Sequence, residues 1–224
     1  MRSKWAAAWL LLLLLAGTGL VALGTQADSP ASYNAEDSYA RSHKAMIYLR
    51  VLNEDQTVKS VGSGSLIAAD GTAATAYHVV KDAASIEAVL SDGRTVRSVK
   101  VLAYDERTDA AIVKLPAPKA NVPAYTILPV REPALQHGER IYAMGYPLKD
   151  TPIITEGIVN SPAAIINGRS RVLVSSEIVS GMSGGPLLDE QGRLAGIISG
   201  SLRTMNNIHL VVPTQDLALL RPSK

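Results

Sequence analysis

Gly181-Met182-Ser183-Gly184-Gly185-Pro186, followed at once by the apolar pair Leu187-Leu188, is the stretch from which the fold and the chemistry of this chain are read. A serine between glycines is an exposed hydroxyl on a backbone free to take positive φ. Such a turn can aim N–H groups at the point where that hydroxyl reacts, as a nucleophile with an oxyanion hole requires. The stretch does not stand alone. Thr75-Ala76-Tyr77-His78-Val79-Val80 and Thr108-Asp109-Ala110-Ala111 precede it, in the order His, Asp, Ser.

Around these segments the chain alternates short apolar runs with turn residues. Met46 to Leu52, Val61 to Ala68, Thr72 to Ala76, Ser85 to Leu90, Thr95 to Leu102 and Ala110 to Leu115 read as strands, with Asp70-Gly71 and Ser91-Asp92-Gly93 as turns. Residues 116–126, with Pro116, Pro118, Asn121 and Pro123, read as a connection between two halves. The second half continues with Arg140 to Gly145, Ile153 to Val159, Ser170 to Ser175, Pro186 to Leu188, Leu194 to Ser199 and Asn207 to Val212. Only Val79 to Ala84 and Thr214 to Leu220 look helical. A dozen short strands with turns every 8–12 residues predict an all-β sandwich or barrel. Phe is absent and aromatics make up only 4% of the 224 residues, so the core must rest on Val, Ile, Leu and Ala.

Serine needs a base to take its proton and a third group to hold that base. Of the four histidines, His43 lies in a polar segment, His137 in a polar loop and His209 in a strand. Only His78 sits where a strand runs into a turn or short helix, exposed yet fixed. Asp109 sits at the mouth of a strand, where a carboxylate can orient an imidazole and stabilise its charged form. Asp105 and Glu106 fall in the preceding loop.

These residues carry a family resemblance. Gly62-Ser63-Gly64-Ser65-Leu66-Ile67, Gly71 to Val80, Thr108 to Ala111, Gly145-Tyr146-Pro147-Leu148, Glu156-Gly157-Ile158-Val159, Gly181 to Pro186 and Val211-Val212-Pro213 occur in order. Together, over about residues 45–220, they resemble the trypsin-like serine proteases, specifically the HtrA/Deg type. The resemblance implies two six-stranded β-barrels, about 45–118 and 124–220, with the active site in the cleft between them. It implies a serine endopeptidase with His78 as general base and acid, Asp109 as its orienter, Ser183 as nucleophile, and the N–H groups of Gly181 and Ser183 as oxyanion hole. A protein or peptide is then the substrate, and neither cofactor nor metal is expected. A non-catalytic trypsin-like peptide-binding module is the alternative.

Two departures from the pattern matter. In zymogen-type trypsins an aspartate that pairs with a freed N-terminal amine stands where this chain has Met182, so activation by N-terminal cleavage is not expected. HtrA-type proteins commonly carry asparagine there, which leaves the hydrogen bonding of the loop open. HtrA-type chains also usually continue into a PDZ domain, and the eleven residues after Pro213 leave no room for one. By the same alignment, residues 177–182 and 198–202, including Ser199, Gly200 and Ser201, wall the P1 pocket. Glu177 at its floor would select Arg or Lys; the alternatives are a Glu177 that points to solvent or pairs locally, and a pocket that takes small aliphatic side chains, as is usual in the HtrA type.

Residues 1–27 carry Arg2 and Lys4 ahead of an apolar block from Trp5 to Leu23. That is the layout of a secretory signal, cleaved after Gly24 or Ala27, though the run is also long enough for an uncleaved anchor. Either reading places the domain outside the cytoplasmic membrane, periplasmic or secreted or anchored there. Residues 28–44 are polar and read as a tether. The formal charge of +2 comes from the leader, and beyond it 20 basic side chains balance 20 acidic ones. That balance gives no electrostatic ground for nucleic-acid binding. With no cysteine, disulfides, thiolate catalysis and Cys-based zinc sites are excluded.

Overall fold

The computed structural model describes residues 31–118, 120–202 and 204–220. The leader of residues 1–27 lies outside the described residues.

Among the described residues, thirteen strands and three short α-helices follow in chain order. The first half holds β1 (Met46–Leu52), β2 (Val58–Leu66), β3 (Thr72–Ala76), α2 (Tyr77–Val80), β4 (Ser85–Leu90), β5 (Thr95–Val96), β6 (Lys100–Asp105) and β7 (Ala110–Lys114), with α1 (Ala35–Ser42) ahead of them. The second half holds β8 (Arg140–Leu148), β9 (Thr151–Ile166), β10 (Arg169–Val174), β11 (Pro186–Asp189), β12 (Leu194–Ser201), β13 (His209–Pro213) and α3 (Thr214–Leu219). The all-β expectation therefore holds, and the second half is a closed six-stranded barrel in the order β10-β13-β12-β11-β8-β9.

The first half differs in detail. It is a curled seven-stranded sheet, β5-β4-β1-β2-β3-β7-β6, rather than a closed six-stranded barrel. The run expected as one strand from Thr95 to Leu102 is split. Ser98 takes φ +63°, a left-handed conformation that no strand continues through, so the run divides into β5 and β6. Val99 N–H still reaches the Ile86 carbonyl at 3.2 Å, bringing the two ends of the curl together at one point.

The segment expected as a tether contains α1. Asn34 caps it, its side chain accepting from Asp37 N–H at 2.8 Å, and Glu36 and Asp37 in its first turn suit the positive end of the helix. The chain before it docks on the second barrel, with Tyr33 N–H on the Glu190 carbonyl (2.7 Å) and Tyr142 Oη donating to the Tyr33 carbonyl (2.9 Å). Among the described residues, no helix is long and apolar enough to cross a membrane.

The core is built from Val, Ile, Leu, Ala and Met, with Tyr142 its largest fully buried side chain. One buried cluster runs through the first sheet and continues across the junction into Tyr142, Met144, Leu188, Leu194, Ile197 and Val212 of the second barrel. A second fills the interior of that barrel and includes Val174, Ile178, Met182, Ile198 and Val211. The apolar contact between the two halves is thus continuous with the first core, which holds the facing loops in one arrangement.

Candidate active site

Strand register brings the first two candidate residues together. β3 and β7 pair antiparallel with Ala76 opposite Ala110, so the residues after Ala76 and before Ala110 share one end of the sheet. Tyr77 N–H extends the ladder by one rung to the Asp109 carbonyl at 3.0 Å. Asp109 itself takes φ +60°, which turns its side chain toward α2.

The Asp109 carboxylate then holds His78 at two points. Oδ1 accepts His78 backbone N–H at 2.9 Å, and Nδ1 of the ring lies 2.9 Å from Oδ2 and 3.1 Å from Oδ1. The ring cannot swing without breaking a bond made to the same carboxylate as its own main chain. The imidazole is half-exposed to the cleft while the carboxylate side chain is only 11% exposed. Burial pushes the Asp109 carboxyl up. The hydrogen bonds and charge of His78 and the Ser199 hydroxyl outweigh that, holding it below the ordinary aspartate value.

Ser199, expected at the pocket wall, spends its hydroxyl here: Oγ donates to Asp109 Oδ2 at 2.6 Å. It comes from β12, so the second barrel supplies a bond to the carboxylate of the first. Arg171 on β10 adds another link, its guanidinium donating to the Arg107 carbonyl at 3.4 Å just upstream of Asp109. It is buried, and burial pulls its pKa down.

Ser183 lies on the turn between β10 and β11, packed against the same strand end. Gly184 takes φ +85°, and a Cβ there would collide with the Ser63 carbonyl and Thr75 Oγ1, so only glycine lets the turn approach β3 this closely. Ser63 of β2 ties the turn to the first sheet. Its N–H donates to the Ser183 carbonyl (2.8 Å), and its hydroxyl donates to the Gly181 carbonyl (2.9 Å) while accepting Tyr146 N–H (2.8 Å). Thr75 Oγ1 in turn donates to the Ser63 carbonyl at 2.7 Å. Neither Gly181 N–H nor Ser183 N–H is used by another group among the described residues. No hydrogen bond joins the Ser183 hydroxyl to His78 among those residues.

Met182 holds the turn from inside. It is fully buried in the second barrel, with Gly145 directly against it, and its backbone N–H reaches the Val179 carbonyl at 3.1 Å. Its carbonyl accepts Gly185 N–H at 2.9 Å, and Val179 N–H points at its sulfur at 3.5 Å. An apolar anchor and main-chain bonds therefore shape this turn without a polar side chain at that position. Met182→Ala is expected to cost about 2–4 kcal/mol of stability, as other buried Met→Ala truncations do, readable in urea unfolding. A loss under about 1 kcal/mol would show that Met182 does not anchor the turn.

Glu177 is exposed, and its carbonyl accepts the Thr155 hydroxyl at 2.7 Å. The side chain expected at a pocket floor thus lies at the surface. Ser176 beside it is buried, as is His209, whose ring Nδ1 lies 2.8 Å from Ser201 Oγ. Gly200 and Ser201 line, with His78 and Asp109, a groove along the junction of the two halves. Ser63 and Arg171 had no role in the sequence reading, which placed His209 in a strand. Ser63 stands inside a quoted motif, so its glycine neighbours were the available signal.

Residues 62–197 match the family model for the trypsin-like peptidase domain. Serine endoprotease DegS of Escherichia coli K12 is 32% identical over 188 residues, 80% of this chain and 52% of that protein. The putative serine protease HhoB of Synechocystis is 31% identical over 170 residues, 73% of this chain and 40% of that protein. The chain thus spans about half or less of the length of these relatives. A crystal structure of the serine endoprotease from Yersinia pestis superimposes with a TM-score of 0.71 at 25% identity, covering 83% of this chain and 64% of that one. Family model, relatives and fold agree: this chain belongs to the trypsin-like peptidases, on their HtrA-type branch.

Proposed function

We propose that this protein is a serine endopeptidase that cleaves peptide bonds of proteins outside the cytoplasmic membrane. The observation that carries the reading is the double hold of Asp109 on His78 beside a turn whose Gly181 and Ser183 N–H groups are unengaged. Asp109 accepts from Nδ1, which leaves the Nε2 lone pair free to act as base. Ser183 Oγ attacks the scissile carbonyl as His78 Nε2 takes its proton. The carbonyl oxygen becomes an oxyanion, held by Gly181 N–H and Ser183 N–H. Collapse of that intermediate breaks the C–N bond, and His78 returns the proton to the departing amine. Water then attacks the acyl-enzyme with His78 again as base, and the acid product leaves with Ser183 restored. Each oxyanion donor in such a site is worth about 3–4 kcal/mol of transition-state stabilisation.

The cleft also offers a place for an extended peptide. Pairing of β12 with its β11 side ends at Ile198, whose N–H and carbonyl meet Gly185 and Gly184. Residues 199–201 continue beyond that point with no strand partner on that side among the described residues. A substrate strand can add there by main-chain hydrogen bonds, which suits protein chains of varied sequence. The basic start and apolar run of residues 1–27 support export.

A fluorophosphonate probe tests the reading. The intact protein is expected to take up one probe, located on Ser183 by peptide mass spectrometry, and to lose casein hydrolysis in step. Folded protein that takes up no probe would instead be a peptide-binding module.

A further inference from the structure

The peptide groups of the turn around Ser183 are not held alike. The Ser183–Gly184 peptide is bonded at both ends, its carbonyl to Ser63 N–H at 2.8 Å and its N–H to the Ile198 carbonyl at 2.7 Å. The Met182–Ser183 peptide is held by its carbonyl, which accepts Gly185 N–H at 2.9 Å, and that hold fixes the direction of Ser183 N–H. The Ser180–Gly181 peptide carries the other oxyanion donor. Among the described residues neither its carbonyl nor its N–H is bonded. Gly181 N–H is therefore aimed through the next peptide along, Gly181–Met182. That unit is bonded at both ends, by Met182 N–H to the Val179 carbonyl at 3.1 Å and by its own carbonyl to the Ser63 hydroxyl at 2.9 Å.

Gly181 itself can contribute little to the aim. It takes φ +93°, and a Cβ there would stand 2.7 Å from the Tyr146 carbonyl oxygen, so the position needs glycine, the residue with the softest backbone. The Ser63 hydroxyl is well placed to supply what glycine lacks. Ser63 is fully buried, and its Oγ already accepts Tyr146 N–H at 2.8 Å, so its single proton is directed at the Gly181 carbonyl. Its neighbours set its depth: a Cβ on Gly62 would lie 3.0 Å from the Ser183 carbonyl, and one on Gly64 3.0 Å from the Ala74 carbonyl. Bare backbone on both sides brings this one side chain against the turn.

We infer that Ser63 is a positioning residue for the reaction: its hydroxyl, acting through the Gly181 carbonyl, keeps Gly181 N–H aimed at the place where the oxyanion forms. The inference rests on the protease reading above and adds a residue of the first half to it. Removing the hydroxyl deprives the Gly181 carbonyl and Tyr146 N–H of a partner together. Rotation of the Gly181–Met182 peptide toward another donor then turns Gly181 N–H out of line. The loss falls on the transition state, because the scissile oxygen gains its negative charge there and not in the bound substrate.

The test uses a fluorogenic peptide copied from a site cut in casein, with the aldehyde and the alcohol of the same sequence as inhibitors. The aldehyde carbon bonds to Ser183 Oγ, His78 takes the hydroxyl proton, and the former carbonyl oxygen becomes an oxyanion. The alcohol binds the same cleft and forms none. Ser63→Ala is expected to lower kcat by about ten- to a hundredfold, less than outright removal of a donor, since Gly181 N–H is loosened and not lost. KM should stay within about threefold of wild type. The aldehyde should weaken by about the factor lost in kcat, and the alcohol by less than about twofold. Ser63→Cys keeps the size with a much weaker donor, so it should fall between wild type and Ser63→Ala, and it decides the matter if the alanine variant does not fold.

A kcat for Ser63→Ala within about threefold of wild type overturns the inference, as does Ser63→Cys at the full wild-type rate. Equal weakening of aldehyde and alcohol also overturns it, since Ser63 would then hold the cleft together without aiming a donor. Each of these leaves the protease reading standing if the wild-type protein takes up a fluorophosphonate on Ser183. A wild-type protein that takes up none overturns both readings together.

Discussion

Ser183→Ala is expected to lower kcat by about a millionfold while leaving the urea unfolding curve within error of wild type. The hydroxyl is the only atom lost, and the structure gives it no hydrogen bond to another described residue, so folding has little to lose. The main-chain contacts that set the turn are untouched: Ser183 carbonyl to Ser63 N–H, Gly184 N–H to the Ile198 carbonyl at 2.7 Å, and Gly185 N–H to Met182. What disappears is the covalent step. The residual rate over water, about a thousandfold or more, comes from the unengaged N–H groups and from binding. The measurement is hydrolysis of a fluorogenic peptide beside a denaturant titration of the same preparation. A variant that keeps more than about one hundredth of wild-type activity would remove Ser183 from the nucleophile's role.

Asp109→Asn should lower kcat by about ten-thousandfold with the fold intact. The carboxylate accepts three donors: the His78 ring, His78 N–H and the Ser199 hydroxyl. An asparagine offers one acceptor oxygen and an NH2 group that can only donate. If the oxygen keeps the main-chain N–H, the NH2 faces the ring and forces the His78 proton to Nε2. An imidazole protonated there cannot take the proton of Ser183. The same substitution has a signature in pH-dependent stability. Asp109 is held below the ordinary aspartate value of about 4, so its ionised form contributes stability that is full above that value. The contribution falls away as pH drops through the lower folded value, because the unfolded chain binds the proton first. Wild type and Asp109→Asn should therefore differ most near neutrality and converge in acid. A gap that widened on acidification would contradict the sign of the shift.

Much of this architecture is legible in the residues because it depends on local pattern. Strands announce themselves by alternation and turns by Gly and Asp, and both survive without knowledge of the partner strand. His78 and Asp109 could be singled out because each stands at a strand end, and pairing of β3 with β7 brings those two ends together. Helix α1 was signalled too, by the Asn34 cap and acidic first turn, but the polar character of the segment masked it. The roles that could not be read are those set by contacts between the halves. Ser199 meets Asp109 across 90 residues, and Ser63 meets Gly181 across 118. A single hydroxyl carries no periodicity, and nothing near it in the chain says which distant group it will meet. Ser98 is a further case, since a non-glycine residue at positive φ leaves no mark in composition.

The position of Ser63 has a consequence for the history of each molecule. The turn that carries Ser183, anchored from inside by Met182, is also tied to a residue of the opposite half, made more than a hundred residues earlier. As the chain emerges from its N-terminus, the half bearing His78 is completed while the serine is still to come. Neither half alone brings His78, Asp109 and Ser183 together, so on the proposed reading a nascent or half-folded chain cannot cleave its neighbours. On the proposed reading, the ability to cut therefore depends on the two halves closing on each other.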